Sequence, residues 1–180
     1  YMRGLSEHIR VQTSSASPWF WRRIVFTCKG NTAFGAFAVT PLPPIVGPYF
    51  DGTSGVQRLL YNSNAQTPSQ TPTVAAQQAY LFKGASYVDW NDPILAPVDT
   101  ARVTLLYDKT VTLKSGNQSG TIREPKLYHS FNKNLRYDDD ENGSIESSSY
   151  FSTDSKMGMG DIYVLDQFST GVGGSASDLL

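Results

Sequence analysis

A chain of 180 residues is long enough for one domain with a sizeable core and cramped for two. Hydrophobic residues make up 39% and charged residues only 17%, which excludes a disordered tail, and no apolar run reaches the roughly 18 residues of a membrane-spanning helix. The net charge of −1 hides an asymmetry: residues 1–88 carry seven basic and two acidic side chains, residues 89–180 eight and fourteen. The folded chain can therefore present one positive and one negative face, or the two halves can mix and cancel.

Fifteen glycines, ten prolines and ten tyrosines, with many Ser and Thr, favour strands and turns and predict an all-β domain. Ser6–Ser15 places Ile9, Val11 and Thr13 on one face and His8, Arg10 and Gln12 on the other, the alternation of a half-buried strand. Trp19–Lys29 (WFWRRIVFTCK) is a second strand, with Phe20, Ile24, Phe26 and Cys28 sharing a face and Gly30-Asn31 ending it. Cys28 reads there as a buried, inert thiol; being alone, it excludes an intrachain disulfide and a zinc site built from thiolates. Ala33–Val39 predicts a short third strand.

Residues 41–97 hold eight of the ten prolines and read as a long surface excursion. Short helices are expected within it at Gly55–Tyr61, behind a Ser54 cap, and at Val74–Phe82. Ala101–Leu113 predicts a hairpin turning near Asp108-Lys109, and Ser115–Gly120 a turn. Thr121–Tyr137 is one long strand or two consecutive ones, with Leu127, His129 and Phe131 alternating. Asp161–Phe168 is a last strand after the glycine turn Met157–Gly160, and residues 169–180 form a flexible Gly/Ser-rich segment. About seven strands, one or two short helices and long unequal loops point to an antiparallel β-sandwich of Greek-key or jelly-roll type over an up-and-down barrel.

Two stretches invite a chemical reading. In YDDDENGSIE, Asp138, Asp140, Asn142, Gly143 and Ile145 match positions 1, 3, 5, 6 and 8 of a calcium-binding EF-hand loop. The twelfth position is Ser149 where a bidentate acid is required, and neither flank has helical periodicity, so the EF-hand fails. What remains is a turn carrying Asp138, Asp139, Asp140 and Glu141, closed by Asn142-Gly143. Its carboxylates suit a divalent cation, a solvated loop, or Arg and Lys of a neighbouring chain.

The second stretch is WFWRR. Trp19 and Trp21 with Arg22 and Arg23 suit sequence-tolerant single-strand binding, in which rings stack on bases and arginines reach phosphates. The same residue types suit core packing or a subunit interface. Lys133 and Arg136 join them as candidates for nucleic acid or an interface.

Enzymatic chemistry finds little support. His8 and His129 are the only imidazoles, and no GxSxG, HExxH, P-loop or dinucleotide fingerprint is present. Glu124, Asp161 and Asp166 can converge across a sandwich, as chance allows in any protein of this size. The expectation is a protein without enzymatic activity.

RGLSEHIRVQTSS followed by WFWRRIVFTCKG resembles the capsid proteins of genomoviruses, small circular single-stranded DNA viruses of the gemycircularvirus group. YDDDENG and GMGDIYVLD resemble two further stretches of the same proteins, in the same order, so the likeness touches Arg3–Gly30, Tyr137–Gly143 and Gly158–Asp166. The resemblance implies a single jelly-roll coat protein over residues 1–180, related to geminivirus coat proteins. Copies of it would form an icosahedral shell around a single-stranded DNA genome, in the virion and, during assembly, in the host nucleus, with no membrane partner and no required cofactor. Arg22 and Arg23 match the family's WRR stretch and are candidates for the inner surface or an interface; Asp138–Glu141 match its acidic stretch, and we expect this loop to meet basic residues of a neighbouring subunit, with or without a cation. The resemblance also implies an arginine-rich arm ahead of the first residue here and further chain beyond the last, consistent with a sequence that opens YMRG.

A different class of function shares these features. A β-sandwich carbohydrate-binding module would stack Trp19 and Trp21 on sugar rings and hold calcium in the acidic loop.

Overall fold

The computed structural model describes residues 1–30, 33–34, 49–58, 60, 71–137, 139–143, 145–148 and 151–171, which form eleven strands and one helix. In chain order these are β1 (Met2–His8), β2 (Val11–Gln12), β3 (Trp19–Cys28), β4 (Tyr49–Gly52), β5 (Gly55–Arg58) and α1 (Thr71–Leu81). They continue with β6 (Thr104–Leu113), β7 (Ile122–Arg123), β8 (Lys126–Lys133), β9 (Asp139–Asn142), β10 (Ile145–Ser148) and β11 (Asp161–Thr170).

The centre is an antiparallel sheet in the order β11-β3-β6. Trp19 through Cys28 oppose Thr170 through Asp161 without a break. On the other edge Trp19 through Thr27 oppose Leu113 through Thr104, with a bulge at Val25/Phe26. A run rich in β-branched and aromatic residues suits a strand bonded on both sides. Every residue from Trp21 to Cys28 is buried, because both faces of this sheet are covered.

On the face of Ile24, Phe26 and Cys28 lie Leu81 and Phe82, followed by Trp90, Ala96 and Val103 from the segment after the helix. Ile24, Phe26, Leu81 and Phe82 have no exposed surface, and each such side chain contributes about 1.5–3 kcal/mol of burial free energy. On the opposite face Trp19, Trp21 and Leu113 pack with Val11, Ile9 and Val111. The cover on that side is a ribbon in which β1 and β2 run antiparallel to β8 and β7. His8 opposes Lys126 and Val11 opposes Arg123, so one register spans the interruption between them. Pro125 sits in that gap; it offers no N–H, but its carbonyl accepts the Ile9 amide at 3.1 Å.

The fold is thus mostly β, with antiparallel sheets and one short helix, as composition predicts; the strand pairing does not by itself close a jelly roll. β3, β8 and β11 fall where strands are expected, although β11 runs on through Ser169 and Thr170, and β1 begins at Met2. Thr121–Tyr137 resolves into β7 and β8 and leaves strand geometry after Lys133. The helix expected at Val74–Phe82 begins earlier, at Thr71, and ends at Leu81, with Pro72 in its first turn, where a missing N–H costs least.

Three expectations are corrected. Gly55–Tyr61 is no helix over its described residues: Gly55–Arg58 is a strand paired with Tyr49–Gly52 through a two-residue turn, Thr53-Ser54. Ala101–Leu113 does not fold back at Asp108-Lys109, because Thr104–Leu113 is one strand held along its length by β3. Phe20 is 41% exposed, and its neighbours Trp19 and Trp21 are buried instead. Within the acidic stretch, Asp139, Asp140 and Glu141 lie on β9, which pairs antiparallel with β10 from Asn142↔Ile145 onward, so this is a hairpin. Of Ala33–Val39 only Ala33 and Phe34 are described, in a turn; the rest, with Asp138 and residues 172–180, lies outside the described residues.

Candidate functional site

Adjacent residues on a strand point to opposite faces, so Arg22 and Arg23 enter different layers. Both are buried, at 5% and 6% exposure. Arg22 forks onto Asp108, with Nε donating to Oδ1 at 2.8 Å and Nη2 to Oδ2 at 2.7 Å. Its Nη1 donates to the carbonyls of Pro93 at 2.8 Å, Ile94 at 3.2 Å and Ala96 at 2.7 Å. The guanidinium carbon stands 5.4 Å from the centre of the Phe82 ring. This one side chain therefore pins the segment after the helix to the central sheet.

Arg23 does the corresponding work on the other face. Nη1 donates to Asp166 on β11 and Nη2 to Glu7 on β1, both at 2.5 Å. The second Glu7 oxygen lies 2.9 Å from His129 Nε2 on β8, and Trp21 Nε1 donates to Asp166 at 2.7 Å. His129 stands edge-on to the Tyr107 ring at 5.4 Å. Four strands from two layers thus share one ionic cluster, in which each charge has a partner.

Trp19 and Trp21 are both 4% exposed, and Trp21 stacks on Phe168 with ring centres 6.2 Å apart. Lys133 and Arg136 are not brought to the arginine pair: they lie at and beyond the end of β8, exposed, with Arg136 Nη1 3.0 Å from Met157 Sδ. The side chains of Asp139, Asp140 and Glu141, like Asp138, fall outside the description. Among the described residues no three His, Cys, Asp or Glu side chains gather as a metal site.

Between the central sheet and the ribbon opens a cleft of about 370 Å³ that sequence reasoning missed. Trp21, Val111 and Leu127 give it an apolar lining, and Arg23, Lys109 and Arg123 supply positive charge. No local motif announces it, since Arg23, Lys109 and Arg123 come from β3, β6 and β7. Elsewhere, burial first and Cys28 second push the Tyr80 phenol above its ordinary value. His129 is held by Glu7, His8 is exposed at the end of β1, and Cys28 is buried within the main core.

No protein-family model, curated protein or solved structure matches the chain. Among the described residues no helix is long and apolar enough to cross a membrane.

Proposed function

We propose that the chain is the coat domain, of single jelly-roll type, of a small circular single-stranded DNA virus resembling the genomoviruses. Copies of it assemble into a closed icosahedral shell around the genome, without enzymatic activity, in the host nucleus and the virion.

One observation carries this reading. Three separate stretches that bear the resemblance meet in space: Glu7 from the first, Arg23 from the second and Asp166 from the last form one ion cluster. The second and last are moreover paired over ten residues as β3 and β11. Residues that resemble a family at distant points of the chain thus serve one piece of architecture, as a shared fold requires. A net charge of −1 does not by itself neutralise packaged DNA, so on this reading the counter-charge comes from elsewhere. The carbohydrate-binding reading asks Trp19 and Trp21 to offer open ring faces, and both indoles are buried.

The test is negative-stain electron microscopy of the full-length product of the complete reading frame. Uniform small closed shells are expected. Monodisperse monomers across salt and pH would overturn the proposal.

A further inference from the structure

The cleft between the central sheet and the ribbon has charge left over. Arg23 is neutralised by Glu7 and Asp166, and Glu124 at the rim faces Arg10 at 3.6 Å. Lys109 and Arg123, both exposed, have no carboxylate partner among the described residues. Two unmatched cations thus stand at the mouth of an apolar opening whose lining includes the buried Trp21 ring. An occupant that matches this cleft carries an apolar body beside negative charge.

The chain itself contains such a segment. Tyr137 is 46% exposed and is followed in sequence by Asp138, Asp139, Asp140 and Glu141. Asp139, Asp140 and Glu141 belong to β9 of the β9–β10 hairpin, which shares no sheet with any other described strand. We propose that the Tyr137–Glu141 corner of a second copy seats in this cleft, with the tyrosine ring over the apolar lining and the carboxylates on Lys109 and Arg123. The inference rests on the coat reading and names one contact of its shell. Such a contact is heterologous, joining one patch to a different patch on the next copy, which is the kind that closes rings around an axis.

Nucleic acid fits less well. With Glu124 at the rim, two free cations leave little net positive charge for a phosphate backbone, whose binding scales with the number of phosphates neutralised. A volume of 370 Å³, near the lower end of ligand pockets at roughly 300–1,000 Å³, suits one aromatic side chain and its neighbours more than a run of bases.

The experiment is a charge swap in the full-length protein, read by sedimentation velocity at low salt, with circular dichroism confirming the fold. Lys109→Glu with Arg123→Glu, and separately Asp139→Lys with Asp140→Lys, are each expected to weaken self-association about tenfold or more. Combining all four substitutions is expected to restore most of it, which loss of folding in either pair would not allow. Lys109→Gln with Arg123→Gln provides a milder variant of the same face. A combined variant no better than its parts overturns the contact, and shells that form undisturbed by either pair do so while leaving the coat reading intact. A wild-type protein that never self-associates removes both. If the Lys109/Arg123 pair instead weakens anisotropy-detected binding of a labelled oligothymidylate and leaves association unchanged, the cleft belongs to nucleic acid and the proposal falls.

Discussion

Arg22 shows how a charged residue becomes part of a core. All three of its nitrogens donate, to one carboxylate and three backbone carbonyls, so no charge is buried without compensation. The three carbonyls belong to a proline-containing segment with few ladder partners of its own, and the guanidinium supplies them. Replacing Arg22 with Ala leaves Asp108 and these carbonyls facing an empty volume. We expect a loss of about 3–5 kcal/mol in urea unfolding, with Lys restoring only part, because an ammonium cannot make the planar two-pronged contact. Equal stability of Arg22→Ala and the wild type would refute this role. The sequence leaves core packing, a subunit interface and nucleic-acid binding all open for WFWRR, and it cannot choose among them because the partners Asp108 and Asp166 lie 86 and 143 residues away.

At the scale of elements, alternation found the strands that have one wet face. It exposed Val11, Thr13, His129 and Phe131 as inward-facing, and all four are buried. The method failed where a second layer covers the other face: along Trp21–Cys28 both parities are buried, so no alternation distinguishes them. Val56, Leu59 and Leu60 have helical spacing, yet Gly55 at φ 97° starts a strand after a tight turn, and local backbone geometry overrides the pattern. Asp108-Lys109 resembles a turn until Arg22 is seen on the neighbouring strand. The chain bends at Met157 and Gly158 ahead of β11, and Gly160 must be glycine. Its φ is 84°, and a Cβ there would collide with the Cys28 carbonyl, at the point where β11 begins to pair with β3. Gly160→Ala is expected to lower stability by about 1–3 kcal/mol and to raise amide exchange first at Asp161 and Ile162; unchanged exchange there would contradict it.

Across the whole molecule, the central sheet is clamped from both sides by ion clusters of different construction. The Arg22 side joins the sheet to backbone carbonyls, and the Arg23 side joins it to the ribbon through Glu7 and His129. Glu7 is thus the carboxylate through which β1 and β8 are tied to Arg23 of the central sheet. In Glu7→Gln, hydrogen exchange is expected to rise about tenfold or more in β1 and β8 while β3 and β11 remain protected, since layers can open separately when their coupling is cut. A uniform rise across all four strands would show instead that ribbon and sheet open as one unit. The acidic turn stands out in the sequence, whereas the cleft proposed to receive it is visible only once Lys109 and Arg123 are brought together from separate strands.

The enclosure of β3 also governs how a chain like this diverges. A side chain between Trp21 and Cys28 must satisfy neighbours above it, below it and on the strands to either side, so few substitutions are tolerated there. The β4–β5 hairpin, whose two strands pair only with each other among the described strands, answers to far fewer neighbours. Mutational drift therefore erases the periphery first and the middle strand last. Two such proteins can share a short, recognisable phrase at their centre long after every surface that once met a partner has been rewritten.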